Sequence, residues 1–150
     1  MKVLSFNHMS FTVANLDASI AFFVDGLGFE LLSRAPRDPR LIERMIGIEG
    51  AAPEIAFVAA AGQRVELIAY HAPADRTAVL PRLCDVGAAH VGLDVDDIDA
   101  AVDAAARHGY GLAGEVITID AGPNRGSRVG YVRDAHGMTV EFLQAAAPKR

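Results

Sequence analysis

Apolar and polar positions alternate or recur along this chain in a pattern that appears twice. In 8-HMSFTV-13, Met9, Phe11 and Val13 alternate with His8, Ser10 and Thr12, which predicts a strand with one apolar and one polar face. Residues 15–28 switch to helical spacing. Ile20, Phe23, Val24 and Leu27 form one stripe, Asn15 or Asp17 supplies the N-cap, and Gly26 and Gly28 the stop. Three strands are then expected, 29-FELLSR-34, 54-EIAFVAA-60 and 64-RVELIAY-70, with a short extra helix at 39–47 and a hairpin turn at 61–63. The same order follows in 90-HVGLDV-95, a helix capped by Asp96 or Asp97 with the stripe Ile98, Val102, Ala105 and Ala106 ending at Gly109, and strands at 111–117, 128–133 and 138–144. The last two strands join through a turn at 134–137.

Superposing 8-HMSFTVANLDASIAFF-23 on 90-HVGLDVDDIDAAVDAA-105 needs a constant shift of 82 (90 minus 8) and no gap. His8 falls on His90, Val13 on Val95, Asp17 on Asp99 and Ala18 on Ala100. A second match places 65-VELI-68 on 140-VEFL-143 at a shift of 75 (140 minus 65), so Glu66 falls on Glu141. The expectation is an α+β fold, one domain over 1–150 made of two β-α-β-β-β modules at about 1–80 and 85–145, their strands forming a curved, barrel-like mixed sheet.

Strand phase gives this repeat chemical meaning. Both histidines leave their strands opposite the apolar face, and Glu66 and Glu141 leave theirs opposite Val65/Leu67 and Val140/Phe142. His8, Glu66, His90 and Glu141 can then converge in the concavity of the sheet. Two imidazoles and two carboxylates suit a divalent ion such as Zn, Ni, Co, Mn or Fe, with octahedral positions left for water or substrate. A lone His or Glu on a strand is ordinarily solvated or hydrogen-bonded; four at repeat-related places are expected to form a ligand set.

Composition narrows the class. The 150 residues are 51% hydrophobic and 22% charged with a net charge of -5, an ordinary globular mix. Lys2 and Lys149 are the only lysines, and no basic cluster suits nucleic acid or anionic lipid. No apolar run approaches the ~20 residues of a membrane span. The N-terminus lacks a signal-peptide pattern, and Cys84 is the single cysteine, with no assigned chemistry. A soluble cytoplasmic protein is expected. His108 is expected as a helix-end charge or surface residue, and His71 as structural or exposed.

With the repeat and the four residues in place, the chain resembles the vicinal oxygen chelate superfamily: glyoxalase I, methylmalonyl-CoA epimerase, fosfomycin-resistance enzymes, ring-cleaving dioxygenases and bleomycin-binding proteins. The resemblance is carried by NHMSFTVANLDASIAFFVDGLGFEL, RVELIAYHAP, AAHVGLDVDDIDAAV and YVRDAHGMTVEFLQ. The last is similar to a D-P-D-G-x-x-x-E ending, with Ala135 and His136 in place of Pro and Asp.

The resemblance implies a metal that chelates vicinal oxygens of a small substrate, and a ligand glutamate that removes a proton beside a carbonyl. Glu141 matches that base, and Glu66 is the second candidate. It also implies a homodimer. A glyoxalase I-like lyase or an epimerase is the first expectation; a ring-cleaving dioxygenase or a metal-free antibiotic-binding protein are alternatives. The arginine that glyoxalase I commonly uses for glutathione, four residues after the first His, is Thr12 here. Glu54 is similar in place to a catalytic glutamate of some epimerases, although a surface position at a strand edge is the plainer expectation. In the loop 120-DAGPNRGSR-128, Arg125 or Arg128 is placed to bind a substrate carboxylate or phosphate, or else faces only water.

Overall fold

The computed structural model describes residues 1–146. The chain divides into two compact units, one over Met1–Thr77 and one from Ala78 on. The first runs β1 (Met9–Thr12), α1 (Leu16–Ala21), β2 (Glu30–Pro36), α2 (Pro39–Ile46), β3 (Ala52–Ala60) and β4 (Gln63–Ala72). The second runs β5 (Val91–Asp94), α3 (Ile98–Arg107), β6 (Gly111–Leu112), β7 (Ile117–Thr118), β8 (Arg128–Arg133) and β9 (Thr139–Gln144). The fold is mixed α+β. Its strands hydrogen-bond as two sheets, one in each unit, ordered β1-β4-β3-β2 and β5-β9-β8-β6, with β7 also on β8. In each sheet the opening strand lies parallel to the closing strand, and the other pairs are antiparallel.

One face of each sheet is a core. Val65 and Leu67 of β4 and Ala56 and Val58 of β3 are buried together in the first unit. Val140 and Phe142 of β9 and Val132 of β8 are buried in the second. Full burial of the Val, Leu and Phe side chains stabilises by about 1.5–3 kcal/mol each, so these faces fix the strand phase, and with it the direction of every polar neighbour.

Helix α1 is capped by Asn15, whose side chain accepts from the Ala18 N–H. It departs from the expected stripe. The chain after α1 is a π-helical turn at Phe22–Gly26, in which the Leu27 N–H bonds the Phe22 carbonyl five residues back. The wider turn buries Phe22 and Phe23 side by side, together with Leu16 and Ser19, while Ile20, Val24 and Leu27 are only half-buried. Gly28, at φ 74°, then turns the chain into β2. Helix α2 begins at Asp38 and Pro39, a cap followed by the N-terminal proline position, and ends on Gly47.

Helix α3 is capped by Asp97, which accepts from the Asp99 and Ala100 N–H groups at 3.0 and 3.1 Å. Asp97→Ala is expected to cost about 1 kcal/mol, read as a lower urea midpoint at unchanged slope. Ile98, Ala104 and Ala105 are the buried face of α3, and Ala106 is exposed.

The strand expected at 111–117 is two short pieces instead. Both pair with β8, and the chain leaves the ladder between them. Val116 lies between them, its Cγ2 2.9 Å from where a Cβ on Gly130 would be, so its side chain takes the space over this glycine of β8. Among the described residues, no helix is long and apolar enough to cross a membrane.

Candidate active site

Strand register places the four singled-out residues. Ser10 lies opposite Glu66 in the β1–β4 ladder, and His8, two residues earlier, shares its side. Gly92 lies opposite Glu141 in the β5–β9 ladder, with His90 two residues before it. In the first unit His8 Nε2 is 3.3 Å from Glu66 Oε2. In the second, His90 Nε2 is 3.3 Å from Glu141 Oε2. The repeat therefore reproduces a His–Glu contact with the same atoms and the same separation. The carboxylates are the more enclosed partners, with side chains 14% and 17% exposed against 34% and 41% for His8 and His90. Each pair thus has an acidic floor and an imidazole reaching toward solvent.

Two aromatic residues complete the pairs, and sequence reasoning did not single them out. Phe57 of β3 lies opposite Glu66, and Tyr131 of β8 lies opposite Glu141. His8 meets the Phe57 ring edge-on at 5.6 Å and 81°, and His90 meets Tyr131 at 5.3 Å and 86°. The Tyr131 hydroxyl donates to Glu141 Oε1 at 2.6 Å. That hydrogen bond is the largest cause raising the Tyr131 pKa to about 12; burial and the Glu141 charge push the same way. On the other pair, His8 Nδ1 is 2.8 Å from Asn7 Oδ1. Asn7 thus engages one ring nitrogen, and Nε2 is the one that faces Glu66.

The pairs suit a cation by donor chemistry and by spacing. Imidazole nitrogen and carboxylate oxygen are the donors that zinc and similar ions take. Two ligands about 2.1 Å from one ion are roughly 3.0–3.4 Å apart at right-angle to tetrahedral geometry, and the 3.3 Å contacts match. Among the described residues, no group of three or more His, Cys, Asp or Glu side chains is gathered so as to hold a metal.

Glu54, Arg128, His71, Cys84 and His108 are placed elsewhere. Glu54 lies within β3 opposite Ala69, so by strand parity it points to the face away from Glu66. It is not a free surface carboxylate: it accepts from Arg34 Nε at 2.8 Å and Nη2 at 3.3 Å, with its side chain 21% exposed. The Arg34 hydrogen bond, ahead of any charge effect, holds the Glu54 carboxyl below its ordinary range. Arg34 also donates to Asp17 of α1, and His71 Nε2 is 3.8 Å from Glu54. The network ties α1, β2, β3 and β4 together.

Its counterpart in the second unit is Arg128, which donates to both oxygens of Asp99 at 2.6 and 2.8 Å. Asp99 is the repeat of Asp17. Arg128 is therefore a tie between β8 and α3, neither a water-facing loop residue nor a free anion receptor. His71 is exposed, Cys84 is an exposed free thiol, and His108 forms the C-cap of α3.

Comparison with known proteins agrees with this architecture. The family profile described as the Glyoxalase/Bleomycin resistance protein/Dioxygenase superfamily matches residues 5–142. The chain belongs to that superfamily. It is 32% identical over 149 residues to a 2-epi-5-epi-valiolone epimerase from Actinomyces sp., covering 95% of this chain and 81% of that protein. A glyoxalase family protein from Bacillus cereus is similar in structure, with a TM-score of 0.85 and 27% identity over 98% of this chain and 97% of that one. The fosfomycin resistance protein FosX from Listeria monocytogenes, solved with Mn(II) and sulfate, shares the fold at a TM-score of 0.64 and 13% identity, over 97% and 95% of the two chains. The vicinal oxygen chelate resemblance and the α+β class read from the sequence are both supported by this match.

Proposed function

We propose that the protein is a divalent-metal-dependent enzyme that moves a proton on a carbon next to a carbonyl, as an epimerase or isomerase or as a glyoxalase I-like lyase. In this reading His8, Glu66, His90 and Glu141 are the metal ligands and Glu141 is the base. The observation that carries it is the His–Glu contact repeated at 3.3 Å in both units. The 32% identity to an epimerase supports the isomerase branch. The substrate class is a small molecule with adjacent oxygens, such as an α-hydroxy ketone. The reading also takes the protein to be a cytoplasmic homodimer.

A divalent cation of the Zn, Ni, Co, Mn or Fe type, when bound, supplies Lewis acidity that stabilises negative charge on a carbonyl oxygen and so acidifies the neighbouring C–H. The chain's own groups do the rest. His8 and His90 offer ring nitrogens at the more open side of each pair. Glu141, whose Oε1 accepts from Tyr131, is the carboxylate that would take up the proton. Delivery of a proton to the opposite face of the same carbon would complete an epimerisation. Delivery to the adjacent atom completes an isomerisation of the glyoxalase kind.

The test is proton exchange in D2O. Protein stripped with a chelator, and then reloaded with each of the five metals, is followed by NMR on α-hydroxy ketones and hemithioacetals. Deuterium is expected to enter the α-position only with metal restored. Exchange at the same rate in the stripped protein overturns the metal-dependent reading.

A further inference from the structure

We propose that Tyr131 is a positioning residue, which holds Glu141 by Oε1 so that Oε2 is the oxygen presented beside His90. The proposal rests on the reading of the His–Glu pairs as cation ligands. It is drawn from a difference between two otherwise matching modules. Phe57 and Tyr131 occupy the same place in the ladder against Glu66 and Glu141. Their rings make the same edge-on contact with His8 and His90. The ring is therefore common to both pairs, and the hydroxyl is particular to the second.

At 2.6 Å, the Tyr131–Glu141 bond has the length of a hydroxyl donating to a carboxylate. With Oε1 hydrogen-bonded to Tyr131, rotation of the carboxylate about its last bond is restrained. Gly92 stands across the ladder, where an added Cβ would lie 3.4 Å from Oε2, and the corresponding residue beside Glu66 is Ser10. One carboxylate oxygen is tied and the other is left facing His90. Phe57 offers Glu66 no such bond. The two pairs are chemically unequal: Tyr131 holds the Glu141 carboxylate, whereas in the first pair Asn7 engages the imidazole of His8. Hydrogen bonds to a ligand side chain set its orientation, and their loss typically costs about 10–100-fold in metal affinity.

Cobalt(II) is the probe, because its visible ligand-field band reports coordination geometry without turnover. Metal-free wild type and Tyr131→Phe are titrated with cobalt, and each is melted without metal to check folding. The variant is expected to melt near wild type, to bind cobalt about 10-fold more weakly, and to show a shifted band. Phe57→Tyr, which adds a hydroxyl beside Glu66, is expected to tighten cobalt binding. Wild-type affinity and an unchanged band in Tyr131→Phe overturn the role of Tyr131 while leaving the metal reading standing. Failure of wild type to bind cobalt overturns the metal reading, and this proposal with it. A measurement on wild type alone covers the case of a misfolded variant. A slowly exchanging Tyr131 hydroxyl proton, with a nuclear Overhauser contact to the His90 ring, is expected in the metal-free protein, and its absence overturns the proposal.

Discussion

Glu141→Gln is expected to lower kcat for proton transfer by about 10²–10⁴-fold at saturating metal, the range in which a positioned general base contributes. Glutamine keeps the length and planar end of the side chain, and its amide oxygen can still accept from Tyr131. It removes the group that takes up a proton. Three of the four proposed ligands remain, so much of the metal should stay bound, as measured by elemental analysis after gel filtration. The stability of the fold should change little, because Glu141 lies on the face of β9 opposite buried Val140 and Phe142. Glu66→Gln is the companion measurement. Turnover retained in Glu141→Gln and lost in Glu66→Gln would move the base to the first module. Turnover retained in both would remove these carboxylates from proton transfer.

The parts of this site legible in the sequence are those that depend on local phase. Alternation in β1, β4, β5 and β9 is enough to put His8, Glu66, His90 and Glu141 on the faces opposite the apolar ones, because strand side chains repeat every two residues whatever the tertiary context. The internal repeat supplied the pairing of these residues across modules. Phe57 and Tyr131 escaped the same reasoning. Phe57 precedes Glu66 by nine residues, and Tyr131 precedes Glu141 by ten, because the hairpin between the two strands is longer in the second module. A gapless overlay therefore misses them, and only strand register aligns them.

The Arg34–Glu54 and Arg128–Asp99 ties were also hidden. They join residues 20 and 29 positions apart in different elements, and neither spacing has a local signature. The π-helical turn after Ala21 displaced the expected stripe for a related reason. The 3.6-residue period assumes i→i+4 bonding, and the bond between Leu27 and Phe22 breaks that assumption.

The largest stability loss is expected from Phe142→Ala. Phe142 is wholly buried in β9, opposite Leu93 of β5 and Gly130 of β8, on the face that packs toward α3. Gly130 contributes no side chain, and Val116 already fills the space above it, so little nearby can collapse into the volume the ring vacates. A cavity that stays open adds to the lost transfer energy, and Phe-to-Ala changes of this kind cost about 3–5 kcal/mol. That is a large share of the ~5–15 kcal/mol that holds a typical domain together. Urea unfolding followed by circular dichroism should show a markedly lower midpoint. A loss below ~1 kcal/mol would mean that the ring is not packed as described, since that is less than the transfer term alone. The substitution also bears on the site. Phe142 anchors the phase of β9, and its neighbour Glu141 is held on the opposite face by that phase. Cobalt binding by the still-folded fraction should therefore weaken in Phe142→Ala, whereas Glu141→Gln should impair turnover with little change in the unfolding midpoint.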